Sequence, residues 1–454
     1  MTSLWRQRDF MLLWCGQTIS ELGSAVTMLA LPLTAVALLQ ASPFQIGLLN
    51  AATTAAFLVI ALPAGVLVDR RRKRGIMLWC DAARLAIIAS VPLAARAGVL
   101  TLGQLYAVAL AVGICTVFFD VAYQSYLPVL IGRQQLYDGN GKLGTSQSFA
   151  QVAGPGLGGA LVGLLGVAGA LSADAISYAA SVGSLLLIRT REQPATARPA
   201  DRTRLRTELA EGLRFVSRDP ILRQIVACTA TVNLFAAMTS AVRIIFLVRL
   251  LHISLAATGL LTALAALAGV AAGMLSGKLT RLIGSARIIW FSLLVFGVPD
   301  LLVPLAEPGW RIALVVVGQA AVYFSSVLYN VSQISYRQSV CPPDLLGRIN
   351  ATVRWIVWGT LPLGAVLGGL FGSVIGVRAT LWIGFCGCWA AGLLVFFSPL
   401  RAMRDILTSH LHGGSLVPDE GAQQALGGQM AKRVFYTVAR WAGVKARPLP
   451  YHWT

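Results

Sequence analysis

The stretch "GVLVDRRRKRGIM", from Gly65 to Met77, sets five consecutive cations between two long apolar segments. Such a run could be a nucleic-acid patch, a solvated surface loop, or a boundary that the apolar segments require. The composition of the chain decides among these. Of its 454 residues, 56% are hydrophobic and only 12% are charged, whereas soluble domains carry about 25% charged residues. The sequence therefore predicts a membrane protein, with the cations marking an edge of the membrane.

The rest of the chain repeats this arrangement of apolar runs and short polar segments. The runs are about 20 residues long, enough to cross a hydrocarbon core as helices, and longer than the 10–14 apolar residues of a buried helix in a soluble protein. We therefore predict an all-α polytopic membrane protein with twelve transmembrane helices. They are placed at residues 10–39, 44–68, 76–97, 102–125, 140–165, 168–189, 221–250, 254–278, 287–306, 310–333, 350–374 and 377–398.

A polar stretch between the sixth and seventh spans divides the chain in two. We predict an N-terminal six-helix bundle at 1–189, a cytoplasmic linker at 190–220 and a second six-helix bundle at 221–398, followed by a cytoplasmic tail at 399–454. Within the linker, residues 202–216 are predicted to form an amphipathic helix. In the tail, residues 429–443 read either as a basic amphipathic helix lying on an anionic leaflet or as a disordered extension.

The distribution of cations predicts the orientation. With the N-terminus in the cytoplasm, most of the 37 Lys and Arg residues fall on the cytoplasmic side, as the positive-inside rule requires. The opposite side carries at most Arg96, Arg243, Arg249, Arg311 and Arg378. We expect a multi-pass protein of the inner or plasma membrane with both termini in the cytoplasm.

The two halves of the sequence are related to each other. "LQASPFQIGLL" (39–49) matches "LHISLAATGLL" (251–261) at an offset of 212. At an offset of 210, Asp120, Val121, Ser125 and Tyr126 fall on Asn330, Val331, Ser335 and Tyr336, and Gly154, Gly158 and Gly159 fall on Gly364, Gly368 and Gly369. Such a parallel repeat predicts two pseudo-symmetric six-helix bundles, with a binding site between them near the middle of the membrane.

The cationic run, with the residues before it, resembles the signature that follows the second helix in the major facilitator superfamily. The resemblance implies that Gly65 allows close helix approach. It also implies that Asp69, with Arg70 and Arg74, belongs to a latch that acts against the start of the eleventh helix, near residues 348–354. The simpler alternative is that the cations are a topology anchor only.

The stretch "GKLGTSQSFAQVAGPGLGG" (141–159) resembles the fifth-helix signature of exporters in that superfamily, through Gly141, Gly154, Pro155 and Gly158. Glycines four residues apart make a smooth helix face, and an internal proline can kink the helix. The resemblance implies outward transport and a helix at the moving interface. We therefore expect Val in place of Gly154 or Gly158 to impair transport more than the same change at Gly163. Ordinary glycine-rich helix packing is the alternative.

The stretch "FFDVAYQSYLPVLI" (118–131) resembles the branch that contains enterobactin exporters and macrolide-efflux proteins. Asp120 within it is expected to make a structural gate contact. No Lys or Arg lies between Arg96 and Arg133, so the fourth-helix arginine of many proton-coupled drug exporters is missing.

Ionisable groups inside spans are functional candidates, because inserting them into a membrane is costly. Glu21, near the middle of the first span, is the preferred proton carrier. Asp174 and Asp300, in the outer thirds of the sixth and ninth spans, are the alternatives. Asp81 and Arg84 stand three residues apart on one helix and are expected to pair with each other.

By analogy with the family, a substrate cavity is expected between the halves. Its candidate residues are Gln17, Gln147, Asn233, Arg243 and Trp358. The alternative for each is a packing role.

Taken together, these features predict a secondary active exporter of a small, partly apolar molecule: an antibiotic, a siderophore or another secondary metabolite. It would work by proton antiport with alternating access, and an importer of the same fold is the alternative. We expect no enzyme activity, metal site or cofactor, with the proton gradient as energy source. The expected partners are the substrate, protons and the lipid bilayer; we expect no nucleic acid and a monomer. An ATP-driven pump would need a GxxxxGK[ST] loop, which the sequence lacks.

Overall fold

A computed structural model describes residues 4–69, 71–132, 135–190, 192, 211–341 and 343–405. Residues 406–454 lie outside these ranges, and the predicted tail helix at 429–443 falls there. Within the described ranges all regular structure is helical, as the sequence predicts.

Long helices account for most of the chain. They are α1 (Arg8–Ala37), α2 (Pro43–Asp69), α3 (Lys73–Arg96), α4 (Leu102–Ile131), α5 and α6 (together Leu136–Leu187), α7 (Pro220–Ile245), α8 (Leu255–Ile283), α9 (Arg287–Leu294, followed by a 3-10 helix at Val298–Leu305), α10 (Ala313–Val340), α11 (Pro343–Val374) and α12 (Val377–Phe396). Eleven helical segments of the described chain are long and apolar enough to cross a membrane, with Ala153–Leu187 counted once.

The 52-residue segment Leu136–Leu187 is two helices rather than one. As a straight helix it would be about 78 Å long, more than twice a hydrocarbon core of about 30 Å. Gly166 interrupts it with φ 72° and ψ 173°, a left-handed backbone that glycine adopts readily. We therefore name residues 136–165 α5 and residues 167–187 α6.

Both of these helices pack on α1, in opposite directions. A Cβ at Gly154 of α5 would meet Ala25, whereas a Cβ at Gly16 of α1 would meet Ser184 of α6. The chain therefore reverses at Gly166 and crosses twice in this region. With α5 and α6 counted separately, the fold has the twelve crossings that the sequence predicts.

The helices are joined at two opposite ends. We call the linker end the one that carries residues 71–72, 132, 135 and 219. We call the far end the one that carries residues 38–42, 97–101, 251–254 and 306–309. Odd-numbered helices run from the linker end to the far end, and even-numbered helices return.

The packing follows the internal repeat. In the first half α1 packs on α5 and α6, α2 on α4, and α3 on α4 and α6; in the second half α7 packs on α11 and α12, and α8 on α10. The major contacts between halves are α2 with α11 and α5 with α8. These two contacts are equivalent under the repeat, because α2 corresponds to α8 and α5 to α11.

Glycine pairs form the centre of both contacts. A Cβ at Gly259 would collide with the backbone of Gly159, and a Cβ at Gly47 would lie 2.7 Å from the Cα of Gly369. At the repeat offsets Gly47 corresponds to Gly259 and Gly159 to Gly369. The same backbone-to-backbone contact is therefore made twice, once on each side of the molecule.

Two hydrogen bonds support this seam at the far end. The backbone N–H of Phe44 donates to Ser373 Oγ (3.1 Å), and Arg249 Nη2 donates to the carbonyl oxygen of Val36 (3.4 Å). The two halves are thus in direct contact at the far end.

The described parts of the predicted linker and tail pack on the bundle. Residues 211–218 form a helix, which continues past the predicted end at 216, while the first part of the predicted linker helix lies outside the described ranges. Val216 is buried in a cluster with residues of α7 and α11. Beyond α12, the chain up to Asp405 stays on the bundle: the N–H of Ala286 donates to the carbonyl oxygen of Arg404 (3.1 Å) and that of Ser285 to Asp405 Oδ1 (3.0 Å).

The packing of α5 on α1 can be tested by substitution at Gly154. Gly154→Ala would place its Cβ against the Cβ of Ala25, and overpacking of this kind costs about 1–3 kcal/mol. We expect a lower thermal midpoint of the purified protein. Adding Ala25→Gly should restore it, because that change removes the opposing methyl group.

Gly183→Ala is the matched control, because nothing lies within 4 Å of a Cβ there. A loss at Gly183 equal to that at Gly154, or no rescue by Ala25→Gly, would contradict the packing of α5 on α1.

Candidate substrate cavity

A cavity of about 1060 Å³ lies between the two halves and is lined by three helices from each. The first half contributes α1, α4 and α5, and the second contributes α7, α10 and α11. Its lining extends to the linker ends of these helices, at Leu136 and Leu222. Deeper on its walls, Asn140 and Gln147 of one half and Asn330 and Arg354 of the other are exposed. Solvent therefore reaches the cavity from the linker end, while the glycine seam joins the halves at the far end.

Most of the residues expected to face a cavity do line this one. Gln17, Gln147, Asn233 and Trp358 are on its walls, with Glu21 and Asp120. Arg243 is not among the lining residues, because its position on α7 is nearer the far end, beyond the depth that the cavity reaches. The roles expected of these residues remain predictions.

Glu21 is held by its neighbour on the same helix. Gln17 Nε2 donates a hydrogen bond to Glu21 Oε1 at 3.0 Å. On the opposite wall, Asn233 Nδ2 donates to the carbonyl oxygen of Val357 at 3.1 Å, which ties α7 to α11. The Trp358 ring packs edge-on to Phe57, with the ring centroids 4.8 Å apart.

Two arginines on the wall of the second half were missed as site residues from the sequence. Arg337 of α10 and Arg354 of α11 both line the cavity. Arg337 follows the predicted span 310–333, where a cation is expected at the membrane boundary. Arg354 lies inside the predicted span 350–374, and the sequence does not show which way its side chain faces. Both follow α-helical spacing from polar lining residues, Arg337 four residues after Gln333 and Arg354 four residues after Asn350, and that spacing was the available signal.

A buried arginine lies behind the wall of the first half. Arg84 forms the expected ion pair with Asp81, whose other oxygen accepts a hydrogen bond from Ser181 Oγ at 2.6 Å. The guanidinium also lies over the rings of Phe119 (4.5 Å) and Tyr178 (4.7 Å). The predicted pairing of Asp81 with Arg84 is confirmed.

Arg84 is the common cation of the first half. Its charge acts on Glu21, Asp120 and Asp174 as well as on Asp81. A buried cation within reach of several carboxylates offsets part of the cost of placing those carboxylates inside a membrane protein.

The other two proton-coupling candidates lie away from the cavity. Asp174 is fully buried between α6 and α1, where it accepts hydrogen bonds from Thr27 Oγ1 and from Ser177 Oγ (3.0 Å). Asp300 is buried in the 3-10 helix after α9, and the charge of Arg243 acts on it. Neither lines the cavity.

The predicted latch residues are described only in part. Arg74 Nε and Nη2 donate to the carbonyl oxygens of Leu185 (2.9 Å) and Leu186 (3.0 Å) at the end of α6. The backbone N–H groups of Lys73 and Arg74 donate to the Glu192 carboxylate at 2.7 and 2.6 Å, so that acid caps the start of α3. The roles predicted for Gly65, Asp69, Arg70 and Gly141 lie outside what the structure describes. Arg70 is outside the described residues, and for the other three the structure describes the helix but not their surroundings.

The glycines of the exporter-like motif face two different partners. Gly154 and Gly158 meet Ala25, Val26 and Leu29 of α1, inside their own half. The contact with the other half is made instead by the carbonyl of Pro155 and by Gly159, which meet Gly259 of α8.

Gly163 also faces α8, since a Cβ there would lie 2.6 Å from that of Ala256. Bulk at Gly163 therefore also meets a neighbour, and the expectation that it impairs transport less than bulk at Gly154 or Gly158 stays a prediction.

The buried pair in α3 generates a stability prediction. Asp81→Asn removes the ion-pair partner of Arg84, and leaving one member of a buried pair costs about 3–5 kcal/mol. We expect a clear fall in the thermal midpoint. The control is Asp138→Asn on α5, which removes an exposed acid paired with Lys142 (3.6 Å) and should cost no more than about 1 kcal/mol. Losses of the same size at both positions would contradict the structural role of the Asp81–Arg84 pair.

Comparison with known proteins identifies the family of this chain. The sequence profile of the transmembrane secretion effector family matches residues 2–423. The enterobactin exporter EntS of Citrobacter koseri is 27% identical over 364 residues, which cover 78% of this chain and 83% of that protein. The multidrug efflux pump Tap of Mycolicibacterium fortuitum is 24% identical over 394 residues, which cover 84% of this chain and 93% of that protein.

Among solved structures, that of a bacterial homologue of the iron transporter ferroportin in an inward-facing state is similar, with a TM-score of 0.67 at 16% identity. The match covers 87% of this chain and 99% of that one, and at this identity it shows the fold alone. The family profile covers nearly the whole of the described chain. The protein belongs to the transmembrane secretion effector family of the major facilitator superfamily and is a multi-pass membrane transporter.

Proposed function

We propose that this protein is a secondary active exporter of a small, partly apolar molecule, driven by proton antiport. The observation that carries the proposal is the cavity between the halves, which solvent reaches at the linker end while the glycine seam joins the halves at the far end. A transporter that rocks two bundles around a central site passes through such a state.

The orientation of the protein in the membrane decides which compartment supplies the substrate to this state. The Lys and Arg residues concentrate at the linker end, which favours a cytoplasmic linker end and cytoplasmic termini in the inner or plasma membrane. The cavity would then face the cytoplasm, where an exporter collects its substrate. The match with a family of secretion effectors and with two proteins named as an exporter and an efflux pump supports the same direction.

The substrate class follows from the same relatives and from the cavity. An antibiotic, a siderophore or a comparable secondary metabolite would fit a cavity of about 1060 Å³, which is at the upper end of the range for small-molecule sites. The protein would act as a monomer in the bilayer. It would need no cofactor, because the proton gradient supplies the energy.

Glu21 is the proposed proton carrier. An antiporter's proton site must meet solvent on one side of the membrane and then on the other, and Glu21 lines the solvent-reached cavity at a depth of more than ten residues along α1. Asp174 is enclosed by α1 and α6, and Asp300 lies behind α10. Their enclosure favours a packing role for both.

This assignment is tested in inverted membrane vesicles, with a substrate found by a resistance screen in cells that lack their main efflux pumps. Glu21→Gln cannot release a proton, so it should abolish uncoupler-sensitive uphill uptake into the vesicles while substrate binding remains measurable. Asp174→Asn and the exposed control Asp138→Asn should still drive uphill uptake.

If Glu21→Gln still pumps uphill and Asp174→Asn does not, the proton site is on α6 and the assignment is wrong. Substrate movement out of inverted vesicles, in place of uptake, would identify an importer and overturn the proposed direction.

A further inference from the structure

The two walls of the cavity carry opposite charges. The lining residues of the first half include two acids, Glu21 and Asp120, and no Lys or Arg. Those of the second half include two arginines, Arg337 and Arg354, and no Asp or Glu. The separation is complete among the lining residues that the structure describes, so a bound molecule lies between a negative and a positive surface.

The arginines are available to a ligand. The guanidinium of Arg354 stacks on the Trp358 ring at 4.3 Å, which fixes its plane and leaves its N–H groups free to bind an anion at the edge. Arg337 is half-buried, and its Nε has no hydrogen-bond partner among the described residues. Neither arginine forms an ion pair with a described acid. A guanidinium presented in this way suits a carboxylate or phosphate, which accept paired N–H donors.

Neither acid forms an ion pair with a described cation; the charge of Arg84, behind the wall, acts on both, and that of Arg354 acts on Asp120. In the described chain, the hydrogen bond that Glu21 accepts comes from Gln17, a neutral side chain, and Asp120 accepts none. Gln17 itself keeps a buried amide oxygen without a partner, as does Asn350 on the opposite wall. Carboxylates that line a cavity without a direct ion pair can still accept a hydrogen bond from a basic nitrogen of a ligand.

A ligand with a single charge would satisfy one wall and leave the other without a partner. A cation would pair with the acids but place its apolar body against two unpaired arginines, and an anion would do the reverse. A molecule with both charges meets both walls at once, and its complementary charges also fix its orientation.

We propose that the transported substrate is dipolar. It carries a basic nitrogen that pairs with Glu21 and Asp120 and an acidic group that pairs with Arg337 and Arg354. Its apolar body lies beside Trp358 and Tyr123, two aromatic residues that also line the cavity. The proposal rests on the proposed function, because it takes this cavity as the transport site.

The test measures binding of two zwitterionic drugs to the purified full-length protein, through the shift of its tryptophan-fluorescence melting curve with ligand concentration. The probes are norfloxacin and cephalexin, each with a free amine and a carboxylate, compared with their methyl esters (cationic) and their N-acetyl derivatives (anionic). For at least one scaffold we expect the zwitterion to bind about tenfold more tightly than either derivative, a difference of 1.4 kcal/mol.

Neutralising one wall should then change the preference in a defined direction. With Glu21→Gln and Asp120→Asn combined, the N-acetyl derivative should bind at least as well as the zwitterion. With Arg337→Gln and Arg354→Gln combined, the methyl ester should do so. The controls Asp138→Asn and Arg281→Gln, exposed positions away from the cavity, should keep the order of the unmodified protein. A merely structural role for the four residues would lower all affinities together and would not reverse the order.

The proposal is overturned if no zwitterion binds, if a singly charged derivative binds as tightly as its parent in both scaffolds, or if the wall variants do not reverse the preference. Because binding is measured without a gradient or a membrane, these outcomes are independent of transport direction and proton coupling. Charge-selective binding without uphill export would retain this inference and reject the proposed function. Export of a substrate without charge selectivity would do the opposite.

Discussion

The approach of the two halves at the far end depends on two backbone contacts, Gly47 with Gly369 and Gly159 with Gly259. Helices can come this close only where no side chain stands between their backbones. A methyl group at any of the four positions would meet backbone atoms, which cannot turn aside as a side chain can. Because the seam closes the far end, the space between the halves is a cavity that is accessible from one end and not a pore that is open at both.

The internal repeat explains why there are two such contacts. Each half supplies one glycine on its second helix and one on its fifth, and the pseudo-symmetry brings the second helix of one half to the fifth helix of the other. Any motion of the halves that opens one contact therefore acts on the other contact in the same way. This geometry favours two alternative arrangements of rigid halves over gradual distortion, which is the basis of alternating access.

The sequence predicted the fold well because span length and hydropathy are one-dimensional properties. It also placed the turn near Gly166, between predicted spans that end at 165 and begin at 168. Span length and hydropathy did not predict which way a residue faces; the lining residues that were expected correctly came from the resemblance to a family. Asp174 was correctly placed inside a span, but the rotation of α6 turns it onto Thr27, and that rotation is set by packing between helices. For the same reason Arg337 was read as a boundary cation, and the glycine motif did not reveal that Gly159, rather than Gly158, meets the other half.

The most direct test of this account measures distances between spin labels in a variant without the seven native cysteines. One pair, at Val99 and Trp310, reports on the far end, and the other, at Arg72 and Leu282, reports on the linker end; all four positions are exposed. Gly259→Val should lengthen the far-end distance and shorten the linker-end distance, while Gly273→Val, which has open space around its Cβ, should change neither. A far end that stays closed in Gly259→Val, or two ends that open together, would contradict the account.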